Sequence, residues 1–207
     1  MNNVVLCSDI SGLIEISISF GSYTISTPGL VIKSINQIPF RLLIDSFYSL
    51  LSNKENLEFF GDGIPWSKRR VESYLYYEVL KWHNSNLFGI FSAYEKENYD
   101  FVGYLDTHRL LATYASLGHK NVVEMGYIVG KGYWGKGFGT IIADAGQAYI
   151  RHIANNYCNF PPEEIVATVH PLNKASVRIL EKTLSMREDK VIFKFGGRPR
   201  FLFYTIL

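Results

Sequence analysis

The most informative stretch of this sequence is Val129-Gly130-Lys131-Gly132-Tyr133-Trp134-Gly135-Lys136-Gly137-Phe138-Gly139. It joins a predicted strand, residues 121–129, to a predicted helix that runs from about Gly137 to Ile153. Glycines at alternate positions allow backbone N–H groups to approach a ligand without a clash from Cβ. The helix would point its N-terminal amides and the positive end of its dipole toward the same place. We therefore predict a cradle for pyrophosphate, with Lys136 adding positive charge at its rim.

Two other phosphate-binding loops differ from this one. A P-loop ends in Gly-Lys-Ser/Thr, and Gly130 and Gly135-Lys136 fit it, but Gly137 replaces the hydroxyl that would hold Mg²⁺. A dinucleotide-binding loop needs Gly-x-Gly-x-x-Gly, and Thr140 stands where its last glycine belongs. Taken alone, the stretch could also be a glycine-rich turn without a ligand.

Size and composition indicate one globular domain. The chain has 207 residues, of which 47% are hydrophobic and 19% charged, so it can bury a core and is not disordered. The net charge of +2 and the absence of a long basic run argue against a nucleic-acid partner.

The sequence lacks the features of membrane, secreted and metal-binding proteins. No run of about 18 apolar residues predicts a membrane span. Residues 1–20 carry no early Lys or Arg and include Asp9 and Glu15, unlike a signal peptide. Cys7 and Cys158 are too few for a disulfide framework or a Cys/His metal cluster. We expect a cytoplasmic monomer or homodimer that binds no metal and no membrane.

Hydrophobic periodicity predicts a mixed sheet with helices on both faces. Residues 13–26 alternate apolar and polar side chains, which indicates a half-buried strand or a hairpin with Gly21-Ser22 as its turn. Ser67 is the predicted N-cap of a helix that continues to Trp82. The other predicted elements are strands at 30–33, 87–94, 99–106 and 165–169, helices at 36–52 and 173–183, and two strands around Gly196-Gly197.

Residues 134–139 resemble the Gln/Arg-x-x-Gly-x-Gly/Ala signature of GNAT acetyltransferases, with Trp134 in the Gln/Arg position. The Tyr-Trp-Gly-Lys-Gly-aromatic-Gly-Thr form is usual in the RimJ/RimL-like branch, which acetylates protein N-termini. Residues 124–127 resemble the Glu-Ile-Gly-Tyr strand of that branch, and residues 173–182 resemble its Asn-x-x-Ser helix. The resemblance covers about residues 27–207. It departs at Thr183-Leu184-Ser185-Met186, where the family usually has Leu-Gly-Phe, and residues 1–26 would be an added N-terminal β extension.

The resemblance implies an α/β (α+β) GNAT fold and acetyl-CoA as the co-substrate, without a metal. In that fold the fourth and fifth strands splay apart, and the pantetheine arm lies between them like an added strand. The implied acetyl-CoA-binding residues are Tyr127, Ile128, Val129, Trp134, Gly135, Lys136, Gly137, Phe138, Gly139, Thr140, Asn173 and Ser176.

Acetyl transfer to an amine needs a neutral amine, a stabilised carbonyl oxygen and a proton for the leaving thiolate. The resemblance implies Glu124 as the base and Ser176 as the thiolate partner, while Asn173 would bond the pantetheine amides. The alternatives are an ion-paired strand residue for Glu124, an exposed first-turn residue for Ser176 and a simple N-cap for Asn173. His170, His108 and His83 are weaker candidates for the base.

The acceptor is left open by the sequence. The branch implies a protein N-terminus, small-molecule amines are a second possibility, and a module that binds acyl-CoA without transfer is a non-enzymatic one. Trp66 precedes the predicted second helix, where it either lines the acceptor pocket or packs as a hydrophobic staple.

Overall fold

The computed structural model describes residues 2–207, and in that range all the strands join one sheet. The strands are β1 (Asn2–Ser8), β2 (Gly12–Ser19), β3 (Ser22–Ser26), β4 (Leu30–Ser34), β5 (Ile90–Glu95), β6 (Phe101–Tyr114), β7 (His119–Val129), β8 (Glu164–Val169), β9 (Met186–Arg187), β10 (Ile192–Lys194) and β11 (Arg198–Ile206). Their spatial order is β1-β2-β3-β4-β5-β6-β7-β8-β11-β10, and β9 also pairs with β11. Every pair is antiparallel except β7 with β8, so the sheet is mixed, as predicted.

Helices cover both faces of this sheet. They are α1 (Phe40–Leu51), α2 (Lys54–Leu57), α3 (Lys68–His83), α4 (Phe138–Tyr157) and α5 (Lys174–Thr183). Tyr104 in β6 stacks on Phe47 of α1, with ring centroids 5.0 Å apart. The next residue, Leu105, packs against Gly146 of α4. Because successive side chains of a strand point to opposite faces, α1 and α4 lie on opposite sides.

The helix after the glycine loop is longer than predicted. Its apolar spacing continues to Ile153 and Ala154, both buried, and α4 ends at Tyr157 rather than near residue 153. No helix within residues 2–207 combines the length and the apolar character that crossing a bilayer requires.

The N-terminal segment extends the main sheet. The predicted hairpin of residues 13–26 is present as β2 and β3, but its turn is Phe20-Gly21, one residue earlier than predicted. Both turn residues have positive φ, 47° and 74°, as a two-residue hairpin turn that follows the strand twist requires. β1 was not predicted, and β3 pairs with β4, which joins the extension to the sheet. Met1, included in the predicted extension, lies outside the described residues.

β7 and β8 separate along their length. Within the described chain they pair only at Val122–Glu164, Val123–Ile165 and Glu124–Val166. Beyond Glu124, β7 remains paired with β6 up to Val129 but leaves β8. This is the predicted splaying of the fourth and fifth strands of the family domain, here β7 and β8.

Candidate active site

The main cleft opens where β7 and β8 separate. It has a volume of about 980 Å³, and its lining comes from the glycine loop, from the two separating strands, from α5 and from the segment before α3. Ser176, Glu124 and Trp66 all line it. The cleft therefore brings together residues from both faces of the sheet.

The glycine loop presents unpaired amides at the start of α4. Gly135 and Gly137 have φ of 79° and 82°, a left-handed conformation that favours glycine. Gly137 is the N-cap of α4 and makes no side-chain cap. Nothing in residues 2–207 accepts a hydrogen bond from the N–H groups of Gly135, Lys136 or Gly137. Free amides and the positive helix end form an anion site, which fits a pyrophosphate.

Other loop residues fix the position of this cradle. The Trp134 indole donates a hydrogen bond to the Val129 carbonyl at 2.7 Å, which ties the loop to the end of β7. A Cβ on Gly139 would lie 3.1 Å from Ile179, so glycine lets α5 pack closely on α4. The Lys136 side chain turns to Glu95, with 3.8 Å between its Nζ and Oε1, and Lys136 does not line the cleft, so the structure does not place its charge at the rim as the sequence predicted.

Two basic side chains that sequence reasoning missed also line the cleft. Arg178 and Lys182 are exposed and lie one helical turn apart on α5. Their spacing of four residues on a predicted helix was the available signal. They place positive charge on the α5 wall of the cleft.

The separation of the strands exposes one edge of β7. The Asn121 carbonyl accepts a hydrogen bond from Glu163, so odd-numbered residues direct their peptide groups toward the β8 side. By this alternation Tyr127 and Val129 point their N–H groups into the gap, whereas Ile128 points toward β6. An extended ligand can therefore bond to alternate residues of β7.

Ser176 and Tyr127 form a hydrogen-bonded pair, with 2.8 Å between the hydroxyl oxygens. Burial raises the pKa of Tyr127, so its phenol stays protonated near neutral pH. Asn173 accepts a hydrogen bond from the Ser176 N–H at 3.1 Å and caps α5. The pair is thus a fixed pair of hydroxyls on the wall of the cleft.

Glu124 is held in an ion pair. Its Oε1 accepts hydrogen bonds from Lys194 Nζ at 2.6 Å and from Thr168 Oγ1 at 3.2 Å. Lys194 also donates to the Tyr114 hydroxyl at 2.7 Å. The Glu124 and Lys194 side chains are 21% and 22% exposed, so both still reach the cleft. Lys194 was missed because it lies 70 residues further along the chain.

The side of the cleft that carries Glu124 combines aromatic and acidic side chains. Trp66 packs edge-on against Tyr74, with ring centroids 5.1 Å apart, and both line the cleft. Asp106 pairs with His108 at 2.8 Å. Burial lowers the pKa of His108, but the Asp106 carboxylate that it contacts and the charge of Glu78 outweigh burial and raise that pKa overall. Asp106 is a charged residue in an otherwise apolar predicted strand, and this was the available sequence signal for this side of the cleft.

The other histidine candidates differ in their surroundings. The His170 ring stacks on Phe59, with centroids 5.2 Å apart, and lines the cleft. Burial, with the positive charges of Arg200 and Arg198, lowers its pKa. Burial also lowers the pKa of Arg200 to about 10. His83 is exposed at the end of α3.

Comparison with known proteins identifies the family of this chain. Residues 39–183, more than half of the chain, match the family model of the acetyltransferase (GNAT) domain. A GNAT-family acetyltransferase from Bacillus anthracis has a similar structure, with a TM-score of 0.66 and 16% identity over 89% of this chain and 97% of that one.

Two further structures share the fold. One is a Salmonella typhimurium acetyltransferase that modifies the N-terminal serine of a 50S ribosomal subunit protein, with a TM-score of 0.62, 14% identity, and 87% and 96% coverage of this and that chain. The other is RimL, a ribosomal alpha-N-protein acetyltransferase in complex with coenzyme A, with a TM-score of 0.62, 13% identity, and 87% and 95% coverage. The fold and the family-model match show that this chain belongs to the GNAT acetyltransferase family and is an acyltransferase.

Proposed function

We propose that this chain transfers the acetyl group of acetyl-CoA to a primary amine by direct attack, without a covalent enzyme intermediate. The observation that carries the proposal is the gap between β7 and β8, which joins the glycine loop and the Glu124 side of the sheet in one cleft. Because this gap opens the cleft to both faces of the sheet, the donor and the amine can enter from opposite faces and meet. The two cysteines, both within the described range, lie outside the lining of the cleft, Cys7 in β1 and Cys158 at the end of α4, so neither places a thiol nucleophile there.

The donor side suits acetyl-CoA, which supplies an acetyl group as a thioester. The free amides of the glycine loop and the start of α4 would hold its pyrophosphate. The open edge of β7 would bond its pantetheine amides. The residues assigned to this binding are Tyr127, Ile128, Val129, Trp134, Gly135, Lys136, Gly137, Phe138, Gly139, Thr140, Asn173 and Ser176.

Glu124 is the proposed base. An amine that enters as an ammonium must lose a proton before its lone pair can attack. The Glu124 carboxylate lines the cleft on the face opposite Tyr127, because the two residues are three positions apart on one strand. The ion pair with Lys194 keeps this carboxylate oriented toward the cleft.

Ser176 is the proposed proton donor to the leaving thiolate. A thiol has a pKa of about 8.5 in solution, so the departing sulfur benefits from a hydrogen bond or a proton. The Tyr127 phenol stays protonated and can pass a proton to Ser176 across 2.8 Å. The N–H groups of β7 that face the gap would stabilise the carbonyl oxygen as its negative charge increases.

A protein N-terminus is the proposed acceptor. The acceptor side is walled by Trp66 and Tyr74 and carries the acidic groups of Asp106 and Glu124. Such a site suits an amine that carries a neighbouring side chain. The RimL-type structures that share the fold are named as acetyltransferases of ribosomal-protein N-termini, which supports a peptide over a free small amine.

The test is free-thiol release from acetyl-CoA with two acceptor panels, one of short peptides with free N-termini and one of small amines. We expect Ser176→Ala and Glu124→Gln each to lower kcat by about a hundredfold with a smaller change in KM for acetyl-CoA. Glu181→Gln, an exposed position on α5, and Ser49→Ala, an exposed position on α1, are matched controls.

Full kcat in both site variants with a verified acceptor would show that the catalytic assignment is wrong. Turnover with small amines alone would replace the peptide by a small-molecule acceptor. Coenzyme A affinity with no thiol release above background hydrolysis, in either panel, would contradict the proposed transfer and favour a binding module.

A further inference from the structure

Lys194 places a primary amine at the proposed base. Its Nζ lies 2.6 Å from Glu124 Oε1 and 2.7 Å from the Tyr114 hydroxyl. A primary amine in contact with this carboxylate is the arrangement that the proposed function requires of an acceptor. The chain therefore holds an amine of its own class of substrate at the Glu124 end of the cleft.

We propose that Lys194 is a self-acetylation site, which the protein modifies in cis when acetyl-CoA is bound and no acceptor is present. This inference rests on the proposed function and adds to it an acceptor within the chain. Transfer to an external amine does not require Lys194 as an acceptor, so its acetylation would be a separate modification of the chain.

The surroundings of Lys194 favour its side chain over other lysines. Its Nζ lies 5.3 Å from the Tyr114 ring centroid and 5.1 Å from that of Phe195, so aromatic rings flank it. Its side chain is 22% exposed, and Lys194 lines the same cleft as Ser176. Lys182 also lines the cleft, but it is exposed on α5 on the donor side. The lysine that contacts the proposed base, Glu124, is Lys194.

Lys194 lies in a short hairpin at the edge of the sheet. β10 has three residues and pairs with β11 on one side. The turn that follows consists of Phe195, Gly196 and Gly197, with φ of 50°, 77° and 92°. Lys194 is thus the last residue of a short strand at the edge of the sheet, directly before a turn with two glycines.

The reaction balances with acetyl-CoA as the only co-reactant. Glu124 takes one proton from the Lys194 ammonium, and the freed lone pair forms a C–N bond to the acetyl carbonyl carbon. The C–S bond breaks, and the sulfur leaves with its electron pair and receives a proton through Ser176. The products are an acetylated Lys194, free coenzyme A thiol and one proton released to water. The acetylated side chain is neutral, so it no longer pairs as a cation with Glu124.

The experiment incubates the purified full chain with acetyl-CoA and no acceptor and follows intact mass and peptide mapping over time. We expect one acetyl group per chain, at Lys194, with a first-order rate that is independent of protein concentration. Lys194→Arg should abolish the increment, and Glu124→Gln and Ser176→Ala should each slow it by about tenfold or more. Lys120 and Lys190, which are exposed and lie outside the cleft lining, report uncatalysed acetylation in the same sample.

Two outcomes would overturn the inference. One is an unmodified Lys194 in a preparation that releases thiol with a peptide or amine acceptor, which leaves the proposed function intact. The other is acetylation of Lys194 at the same rate as Lys120 and Lys190, unaffected by Glu124→Gln. If thiol release with every acceptor and modification of Lys194 are both absent, the proposed function fails together with the inference. Modification of Lys194 in a preparation with no known acceptor supports it.

Discussion

Replacing Gly137 with alanine tests the glycine loop at its N-cap position. Gly137 has φ of 82°, and a Cβ built on it meets no protein atom within 4 Å. The left-handed conformation costs a residue with a Cβ about 1–2 kcal/mol. Alanine recovers about 0.4–1 kcal/mol by restricting the unfolded chain. The expected net loss of unfolding free energy is about 1 kcal/mol, or about 2–4 °C in Tm for a chain of this size.

The same Cβ would enter the space where the pyrophosphate is expected. We predict about a tenfold weaker Kd for coenzyme A, equal to about 1.4 kcal/mol. At a coenzyme A concentration of about 100 times the original Kd, ligand stabilisation should fall from about 2.7 to about 1.4 kcal/mol. Thermal unfolding with and without coenzyme A, together with calorimetric titration, measures both effects.

Gly132→Ala is the matched control in the same loop. Gly132 also has open space around its Cβ position but no positive φ. It should keep its Tm or gain slightly, and its Kd for coenzyme A should stay unchanged. If the two variants behave alike in both measurements, the reasoning from φ and from the cradle is refuted.

Three further predictions concern packing, capping and charge. Gly146→Ala should lower the free energy of unfolding by about 1–3 kcal/mol, because its Cβ would lie 2.7 Å from Leu105. A lower midpoint of denaturant unfolding with an unchanged m-value would confirm this loss of stability. Asn173→Ala should lower the free energy of unfolding, measured by thermal unfolding, by about 1 kcal/mol, because α5 loses its N-cap. The same variant should raise KM for acetyl-CoA, and an unchanged KM would show that Asn173 is not part of the donor site. The pKa of His108 is raised in the folded state, so its pairing with Asp106 stabilises the fold below the unfolded pKa and is lost as pH rises through the folded pKa. Asp106→Asn should therefore lower Tm more at about pH 5.5 than at about pH 8.5, and an equal loss at both would contradict the pairing.

Features that depend on a few neighbouring residues could be predicted from the sequence. The Ser67 cap of α3 and the Asn173 cap of α5 each involve a contact over three residues, and the glycine loop is a pattern of neighbouring residues. The family prediction is confirmed, because its motifs are local and occur in a fixed order. The hairpin turn at Phe20-Gly21 was displaced by one residue, since a nonglycine residue at positive φ is rarely expected.

Long-range partners could not be predicted in this way. Lys194 meets Glu124 across 70 residues of chain, and no local pattern links a lysine in a short hairpin to a carboxylate in β7. The pairing of Tyr127 with Ser176 spans 49 residues and depends on how α5 packs on α4. β1 carries too little alternation to be recognised as a strand until it pairs with β2.

The sequence by itself determined the family, the mixed sheet and the loop that starts α4, because backbone freedom at glycine and hydrophobic periodicity are properties of neighbouring residues. Only the tertiary structure decided what surrounds Glu124 and which amides face the gap. The physical reason is that a strand sends alternate side chains to opposite faces and alternate peptide groups to opposite edges. The residues that contact each face or edge of a strand come from segments that are distant in the chain.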